Sequence, residues 1–386
     1  MYPDLSYVLH DLFGTEPDNF FSIFKTFGLF LVLAILGAAY FFRKELERKK
    51  EQGFYQSTKV KITEGEGPQP LDVAGSALVG FLVGFKLLYI AQNFPEFQAD
   101  AAAVVMSGRG NFLGGILGAV LFGGFRYWER KKAELPKPKT TVETVWPHDR
   151  IGDLTVWAAI SGIVGAKLFA VIEDLPALFA DPVGVFFSGS GLAIYGGWVG
   201  GFLGVTYYLW KHKIAFLPTA DAVAPALMFA YGVGRMGCQF SGDGDWGDPA
   251  GAQPEGWFLP DWMWGYTYPN NVARVGAQMP DCNYDYCREL TEAAYPTPFY
   301  EIVMAMALFG ILWALRKRIA APGALFALFV VFYGIERWVI EKIRINDEYN
   351  VLGMQLTQAE IISIVFVLIG AGMFIWCRQR YRKEVA

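Results

Sequence analysis

The chain has 386 residues, of which 54% are hydrophobic and 18% are charged, and its formal net charge is −4. Soluble globular proteins carry about 25% charged residues, so this composition argues against a soluble protein. A small negative charge gives no reason to expect nucleic-acid binding. Apolar runs of about 20 residues, the length that crosses a bilayer, recur along the whole sequence and predict helices. We therefore predict an all-α polytopic membrane protein with nine transmembrane helices, at 20–42, 72–92, 111–126, 153–173, 190–210, 218–237, 298–315, 322–343 and 357–376.

Clusters of lysine and arginine predict the orientation of these spans. They follow the odd-numbered spans, as at Arg43–Lys50 and Arg126–Lys139. Basic residues near span ends concentrate on the cytoplasmic side. This predicts a single membrane domain, residues 1–386, with its N-terminus outside, its C-terminus in the cytoplasm and the acidic 241–297 loop outside. The first 19 residues lack the basic start of a signal peptide, so we expect the first span to be retained.

An internal repeat covers the second to fifth predicted spans. The segment 72–132 resembles 154–213, with Lys86 matching Lys167 in the same Val-Gly-x-Lys sequence. A Ser-Gly-x-Gly sequence and a Gly pair then follow in the same order in both copies. This ordered recurrence favours a duplicated helical hairpin over chance similarity of glycine-rich helices. The two lysines are expected either to contact lipid phosphate or to pair with the backbone carbonyls of a neighbouring helix.

The sixth predicted helix ends in a polar stretch, Gly234–Gly247. An arginine at the centre of a membrane helix costs about 2.5–3.5 kcal/mol on insertion scales, so such residues usually face a cavity and carry function. Asp243 and Asp245 are expected to act as bases or to pair with arginines. Cys238 is either a reactive thiol or a small packing residue. The candidate substrate-binding residues of this stretch are Arg235, Gly237, Cys238 and Gly247.

Two loop cysteines, Cys282 and Cys287, are expected to form a disulfide or to remain free thiols. The three histidines, His10, His148 and His212, are scattered and read as surface residues. No nucleotide-binding loop or zinc spacing is present, so we predict neither a cofactor nor a metal ion.

The eighth predicted helix carries charges inside its span. Its apolar part, Gly323–Ile335, is about 20 Å long at 1.5 Å per residue and cannot cross a core of about 30 Å. The span is therefore expected to continue through Arg337 and Glu341, and Arg344 follows on the same helix face. Two arginines around one carboxylate predict a net positive site, and the planar guanidinium suits phosphate. For Arg344, a cation at the membrane interface is the alternative.

Six segments follow one another in the order and spacing of a known set of motifs. They are Phe24–Leu29, Val164–Leu168, Ser188–Gly201, Gly234–Gly247, Pro296–Glu301 and Tyr333–Arg344. Together they resemble the motifs of the prolipoprotein diacylglyceryl transferase family, bacterial inner-membrane enzymes that move diacylglycerol from phosphatidylglycerol onto the lipobox cysteine thiol of a prolipoprotein. The resemblance implies the same substrates, a cavity open to the outer leaflet and contact with membrane lipids.

The chain also departs from the family pattern. The family histidine before the Gly pair is Tyr195, and the signature asparagine is Cys238. The family has seven spans, so the 72–132 hairpin would be an addition and the 241–297 loop an insertion. A thiolate is the reactive nucleophile, and a leaving phosphate needs cations. The resemblance implies phosphate binding by Arg235 and Arg337, and substrate binding by Arg344, Gly196 and Gly197. Glu341 would orient Arg337, and Tyr195, Asp243 and Glu341 are the proton-handling candidates.

Two other functions are compatible with the sequence. A diverged paralogue would bind anionic lipid or a lipoprotein without transfer, as a partner in an envelope complex, and the replaced histidine and asparagine favour this alternative. A transporter is suggested by the duplicated hairpin. The repeat is local and does not form two matched halves, which argues against a transporter.

Overall fold

The computed structural model describes residues 1–99, 104–105, 107–180, 193–346, 348–351 and 353–385. Each predicted span overlaps one long helix in the described residues. Six of the described helical segments, beginning at Thr26, Pro70, Pro147, Phe216, Thr297 and Gln358, are long and apolar enough to cross a membrane. The helices are α1 (Leu5–Phe13), α2 (Thr26–Glu51), α3 (Pro70–Gln92), α4 (Phe94–Ala99), α5 (Phe112–Lys132), α6 (Ile151–Glu173), α7 (Leu175–Ala180), α8 (Ile194–Lys211), α9 (Phe216–Ser241), α10 (Thr297–Leu315), α11 (Ala324–Glu341) and α12 (Gln358–Val385).

Three antiparallel strand pairs accompany the helices in the described residues. They are β1 (Thr58–Glu64) with β2 (Lys139–Val145), β3 (Ala277–Gln278) with β4 (Arg288–Glu289), and β5 (Glu348–Val351) with β6 (Met354–Thr357). The contacts divide the chain into two compact units, residues 1–54 with 215–386 and residues 55–214. The single membrane domain stays a prediction.

Helix α9 is the centre of the unit formed by residues 1–54 and 215–386. It packs against α2, α10 and α11, and α11 packs against α12. Small residues on α9 are fully buried and allow these close contacts, as is usual between membrane helices. The adjoining apolar core contains Met228, Ala305, Leu312 and Leu325.

A buried charged cluster joins three helices at the end of α9 that is remote from Ser241. The Asp221 carboxylate lies 3.3 Å from Lys49 Nζ and accepts hydrogen bonds from the backbone N–H groups of Gly323 and Phe326 at 2.8 and 3.0 Å. Gly323 adopts a φ of +88°, which glycine tolerates, and α11 begins directly after it. Asp221 therefore satisfies free N–H groups at the start of α11 while it pairs with α2.

The unit 55–214 contains two helical hairpins, α3 with α5 and α6 with α8. Both hairpins close on glycines at matching positions. A Cβ atom at Gly84 would clash with the carbonyl oxygen of Gly114, and one at Gly165 would clash with that of Gly196. The backbones of each helix pair can approach this closely because neither glycine has a side chain.

The hairpins share a second contact. The Asn111 N–H donates to the Phe85 carbonyl at 2.8 Å, and the Ala193 N–H donates to the Ala166 carbonyl at 3.0 Å. The pairs Phe85/Ala166 and Asn111/Ala193 occupy corresponding places in the two sequence copies. The Ser188–Gly191 part of the second copy lies outside the described residues, and the duplication stays a prediction.

Lys86 binds backbone carbonyls, which was one of the two roles expected for it. Its Nζ donates to the carbonyl oxygens of Val104 and Arg109 at 2.9 and 2.8 Å and also to that of Ser107. Within the first hairpin this lysine therefore holds the connection between α4 and α5.

The loop between α9 and α10 contains a disulfide. Cys282 and Cys287 are bonded, with their Cα atoms 5.5 Å apart, a usual distance for a disulfide. Of the two alternatives that the sequence left open, the structure therefore has the disulfide and not two free thiols.

Candidate active site

A single buried carboxylate, Glu301, lies among three arginines. Its side chain is 0% exposed and belongs to the first turns of α10. Glu301 Oε2 lies 3.0 Å from Arg235 Nε, and Oε1 lies 3.2 Å from Arg337 Nη1. Arg344 Nη1 is 3.9 Å from Oε1. Glu301 therefore brings together cations from α9, from α11 and from the segment after α11.

Asp245 forms a second bridge between two of these arginines. It pairs with Arg235 through Oδ2 and with Arg344 Nη2 through Oδ1 at 2.9 Å. Burial alone would raise the pKa of this carboxyl group, but the guanidinium groups of Arg235 and Arg344 outweigh that effect and lower the pKa below its usual value. Asp245 is therefore ionised whenever the site is folded near neutral pH.

Glu341 holds Arg337 in place. Its Oε2 lies 3.2 Å from Arg337 Nη2, and its Oε1 accepts hydrogen bonds from Asn346 Nδ2 at 2.6 Å and Thr357 Oγ1 at 2.9 Å. These contacts orient the carboxylate toward the arginine. With Oε1 occupied by two donors, Glu341 fits a positioning role better than that of a mobile base.

Arg344 reaches the site by a route that the sequence did not predict. The expectation that it continues the face of Arg337 and Glu341 was wrong, because α11 ends at Glu341 and Arg344 instead forms an isolated β-bridge with Gly247. A Cβ atom at Gly247 would clash with the Ile343 carbonyl oxygen, so only glycine permits this backbone approach. Gly247 therefore places Arg344 through the backbone.

The charges of the site are balanced, which differs from the expected positive excess. Arg235, Arg337 and Arg344 face the carboxylates of Asp245, Glu301 and Glu341. Arg344 Nη1 is nevertheless buried without a hydrogen-bond acceptor among the described residues. An entering anion would find this donor free and would compete with Glu301 and Asp245 for the others.

Cys238 and Asp243 flank the arginine cluster. Cys238 Sγ lies 3.7 Å from Arg235 Nη1, and the thiol is buried. Partial burial raises the pKa of Asp243, and the negative charge of Asp245 adds to the rise. Ligand atoms of Cys238, Asp243 and Asp245 lie within 4.8 Å of one another, a spacing that a metal ion could use. Both Asp245 oxygens already contact arginines, so we keep the prediction that no metal is needed.

The side chain of Tyr231 connects Glu301 to a second buried carboxylate, Glu336. Tyr231 Oη lies 2.9 Å from Glu301 Oε1 and 3.2 Å from each carboxylate oxygen of Glu336. Both carboxylates are buried, and the three side chains come from α9, α10 and α11.

Residues 132–376 match the family model described as prolipoprotein diacylglyceryl transferase. The chain belongs to this family. It is 30% identical over 243 residues to the phosphatidylglycerol–prolipoprotein diacylglyceryl transferase of Corynebacterium diphtheriae, covering 62% of this chain and 81% of that relative. The transferase of the same name from Pseudomonas aeruginosa is 27% identical over 251 residues, or 63% of this chain and 82% of the relative. That of Pseudomonas fluorescens is 28% identical over 245 residues, covering 62% and 80%.

The match to the diacylglyceryl transferase family includes the arginine cluster and its carboxylates. Together with the six apolar helices, family membership identifies a multi-pass membrane protein. The hairpin of α3 and α5 precedes the matched region almost entirely, as does α2.

The remaining sequence candidates have packing contacts or lie on α8. A Cβ atom at Gly237 would press against Phe27 of α2, so this glycine serves helix packing. Gly196 and Gly197 face α6, where Gly196 permits close approach. Tyr195 lies in the first turn of α8, and its side chain is outside the described part of the chain. The proposed substrate roles of Tyr195, Gly196 and Gly197 stay predictions.

Three polar residues of the site were absent from the sequence candidates. Glu301 stands in the quoted Pro296–Glu301 motif, but its position directly after a proline turn resembles an ordinary helix start. Glu336 and Tyr231 lie inside apolar spans. The signal that identified Arg337, an ionisable residue within such a span, applies equally to Glu336.

Proposed function

We propose that this protein transfers a diacylglyceryl group from phosphatidylglycerol to the lipobox cysteine thiol of a prolipoprotein, the activity for which its relatives are named. The observation that carries the proposal is the convergence of Arg235, Arg337 and Arg344 on one buried place. Three guanidinium groups at one point suit a phosphate better than a neutral lipid.

The chemistry needs cations where the phosphate departs. As the bond between the glycerol carbon and the phosphate oxygen breaks, negative charge grows on the leaving glycerol phosphate. Preorganised donors in a site shielded from water stabilise such charge strongly. The free Nη1 of Arg344 and the groups now held by Glu301 would serve as these donors.

The thiol must also lose its proton before it attacks. Asp243 is a candidate acceptor, because its pKa is raised and it lies beside the arginine cluster. Tyr195, which the motif resemblance places where the family has a histidine, is the second candidate. Glu341 would act mainly by orienting Arg337.

We further propose the membrane arrangement predicted from the sequence. Nine long helices would cross the bacterial inner membrane, with the N-terminus and the 241–297 loop outside. The paired contacts Gly84–Gly114 and Gly165–Gly196 support the proposal that 72–132 duplicates 154–213.

A direct assay tests the transferase function. Purified protein in detergent would receive phosphatidylglycerol and a lipobox peptide, and release of glycerol phosphate would be measured together with the mass of the peptide. Release that depends on the peptide, and a peptide mass increased by the diacylglyceryl group, are expected. Binding of phosphatidylglycerol without either signal would contradict transfer and support the alternative, a diverged member that binds lipid as a partner in an envelope complex.

A further inference from the structure

The contact between Tyr231 and two carboxylates indicates which of these groups carries a hydrogen. Tyr231 Oη is within hydrogen-bond distance of both Glu301 and Glu336. A phenol has one hydrogen and can donate it to only one acceptor. If both carboxylates were ionised, one of the two contacts would place two electron-rich oxygens together without a hydrogen between them.

Glu301 is the ionised member of the pair. Its two oxygens contact Arg235 and Arg337, which stabilise the negative charge. The Tyr231 hydroxyl therefore donates to Glu301. The remaining contact is a hydrogen bond only if Glu336 carries a hydrogen and donates it to Tyr231 Oη.

The surroundings of Glu336 agree with a neutral side chain. It is 3% exposed, and among the described residues no lysine or arginine nitrogen lies within 4.0 Å of it. The charged and titratable groups near it are Glu301 from α10, Tyr231 and Arg235 from α9, and Arg337 and Tyr333 from its own helix. The nearby arginines are already balanced by other carboxylates, and an additional buried charge without a partner is strongly unfavourable.

We propose that Glu336 is a protonated carboxylic acid that supplies a proton, through Tyr231 and Glu301, to the phosphate as it leaves. The inference rests on the proposed transferase function. Glu336 does not touch the substrate in this scheme and acts through the two residues that connect it to the arginine cluster.

The step is balanced in atoms and electrons. The sulfur–carbon bond forms with the thiolate electron pair, and the carbon–oxygen bond breaks with its electron pair on the phosphate oxygen. Glu336 gives its proton to Tyr231 as Tyr231 gives its own to Glu301, and the proton that Glu301 has received then passes to that oxygen, which leaves Glu301 ionised again and Glu336 without its proton. The proton lost by the substrate thiol returns to the network, so the overall reaction converts a thiol and a phosphodiester into a thioether and a singly protonated phosphomonoester.

Infrared spectroscopy tests the proton on Glu336 without reference to activity. A protonated carboxylic acid has a carbonyl stretch that is separate from the bands of a carboxylate and shifts in heavy water. We expect such a band in the wild-type protein and its loss in Glu336→Gln. The matched control is Glu47→Gln, because Glu47 is exposed and pairs with Arg43, so its substitution should leave the band intact. A band that persists unchanged in Glu336→Gln would overturn the assignment.

Steady-state kinetics test the donor role. Glutamine keeps the size and neutrality of a protonated glutamate but cannot release a proton, so Glu336→Gln should keep the KM for phosphatidylglycerol and lower kcat by roughly 10²-fold, the low end for general acid–base catalysis. Tyr231→Phe interrupts the same chain and should give the same division between KM and kcat. An active wild type with undiminished kcat in both variants would overturn the donor role, whereas an inactive wild type would overturn the proposed function itself.

Discussion

Arg235 Nε and Glu301 Oε2 lie 3.0 Å apart and join α9 to α10 inside the helical bundle. The same carboxylate contacts Arg337 of α11, so three helices meet at one buried ion cluster. An ion cluster of this kind is strongly destabilised by removal of one member, because the remaining charges stay buried without a partner. The candidate site is thus also a structural junction.

Arg337→Ala should abolish transfer while the protein still inserts in the membrane. Loss of one preorganised cation at a growing negative charge typically lowers kcat by about 10²–10³-fold. Glycerol phosphate release measures the effect. Arg43→Ala is the control, since Arg43 is 60% exposed and pairs only with Glu47 among the described residues. Turnover by Arg337→Ala equal to that of the control would contradict the role of Arg337.

Glu301→Gln should bind phosphatidylglycerol more tightly than the wild type and unfold more easily. The lipid phosphate must compete with this carboxylate for Arg235 and Arg337, and the glutamine removes that competitor. A hydrogen bond to a charged group contributes about 1.5–3 kcal/mol, so an increase in affinity of about ten- to hundredfold is expected. Titration of lipid into the purified variant gives the affinity. An affinity equal to that of the wild type would show that the phosphate binds elsewhere.

Asp245 should contribute stability that disappears in acid. The neighbouring Arg235 and Arg344 lower its pKa in the folded protein below the unfolded value. The stability that Asp245 contributes is therefore complete at pH values above the ordinary aspartate pKa, and it is lost as the pH falls through the lowered pKa of the folded protein. Thermal unfolding of the wild type and Asp245→Asn, compared in detergent over this range, measures the effect. The stability difference between them should shrink on acidification, and a difference that grows would have the wrong sign.

Asp221→Ala should destabilise the helical bundle without a direct effect on the arginine cluster. The substitution leaves Lys49 buried without its partner and frees the N–H groups of Gly323 and Phe326. Removal of one partner of a buried ion pair costs about 3–5 kcal/mol. Chemical denaturation in detergent measures the loss. Asp72→Ala offers the comparison, because the Asp72 ion pairs with Arg126 and Arg130 are partly exposed and should contribute much less.

The helices were predictable because a chain that crosses a bilayer must form apolar runs of sufficient length. Arg235 and Arg337 were equally accessible to sequence reasoning, since a cation inside an apolar span requires a partner or a cavity. Six described segments meet the length and apolarity needed to cross a membrane, so the number of crossings stays a proposal.

The arrangement around the arginines depends on contacts that sequence spacing does not contain. Arg344 lies beyond the end of α11, and its position comes from a bridge to Gly247, a residue from another part of the chain. Helical periodicity predicted that Arg344 lies near Arg337, but the contact that brings it there is the bridge to Gly247. The sequence did not identify Glu301 as a site residue, because one acidic residue near a helix start has no periodic pattern. Its three arginine contacts exist only after α9, α10 and α11 have packed together.

Backbone hydrogen bonds around Gly247 hold both ends of the α9–α10 loop beside the arginine cluster. The Gly247 N–H donates to the Tyr295 carbonyl at 2.9 Å, and the Tyr295 N–H donates to the Asp248 carbonyl at 3.0 Å. The Asp248 N–H donates to the Ile343 carbonyl at 2.9 Å. Both ends of the loop are thus fastened to each other and to the segment that carries Arg344. Exposed residues between these ends can be exchanged while the arginines keep their places, so the loop can acquire new recognition surfaces at little risk to catalysis.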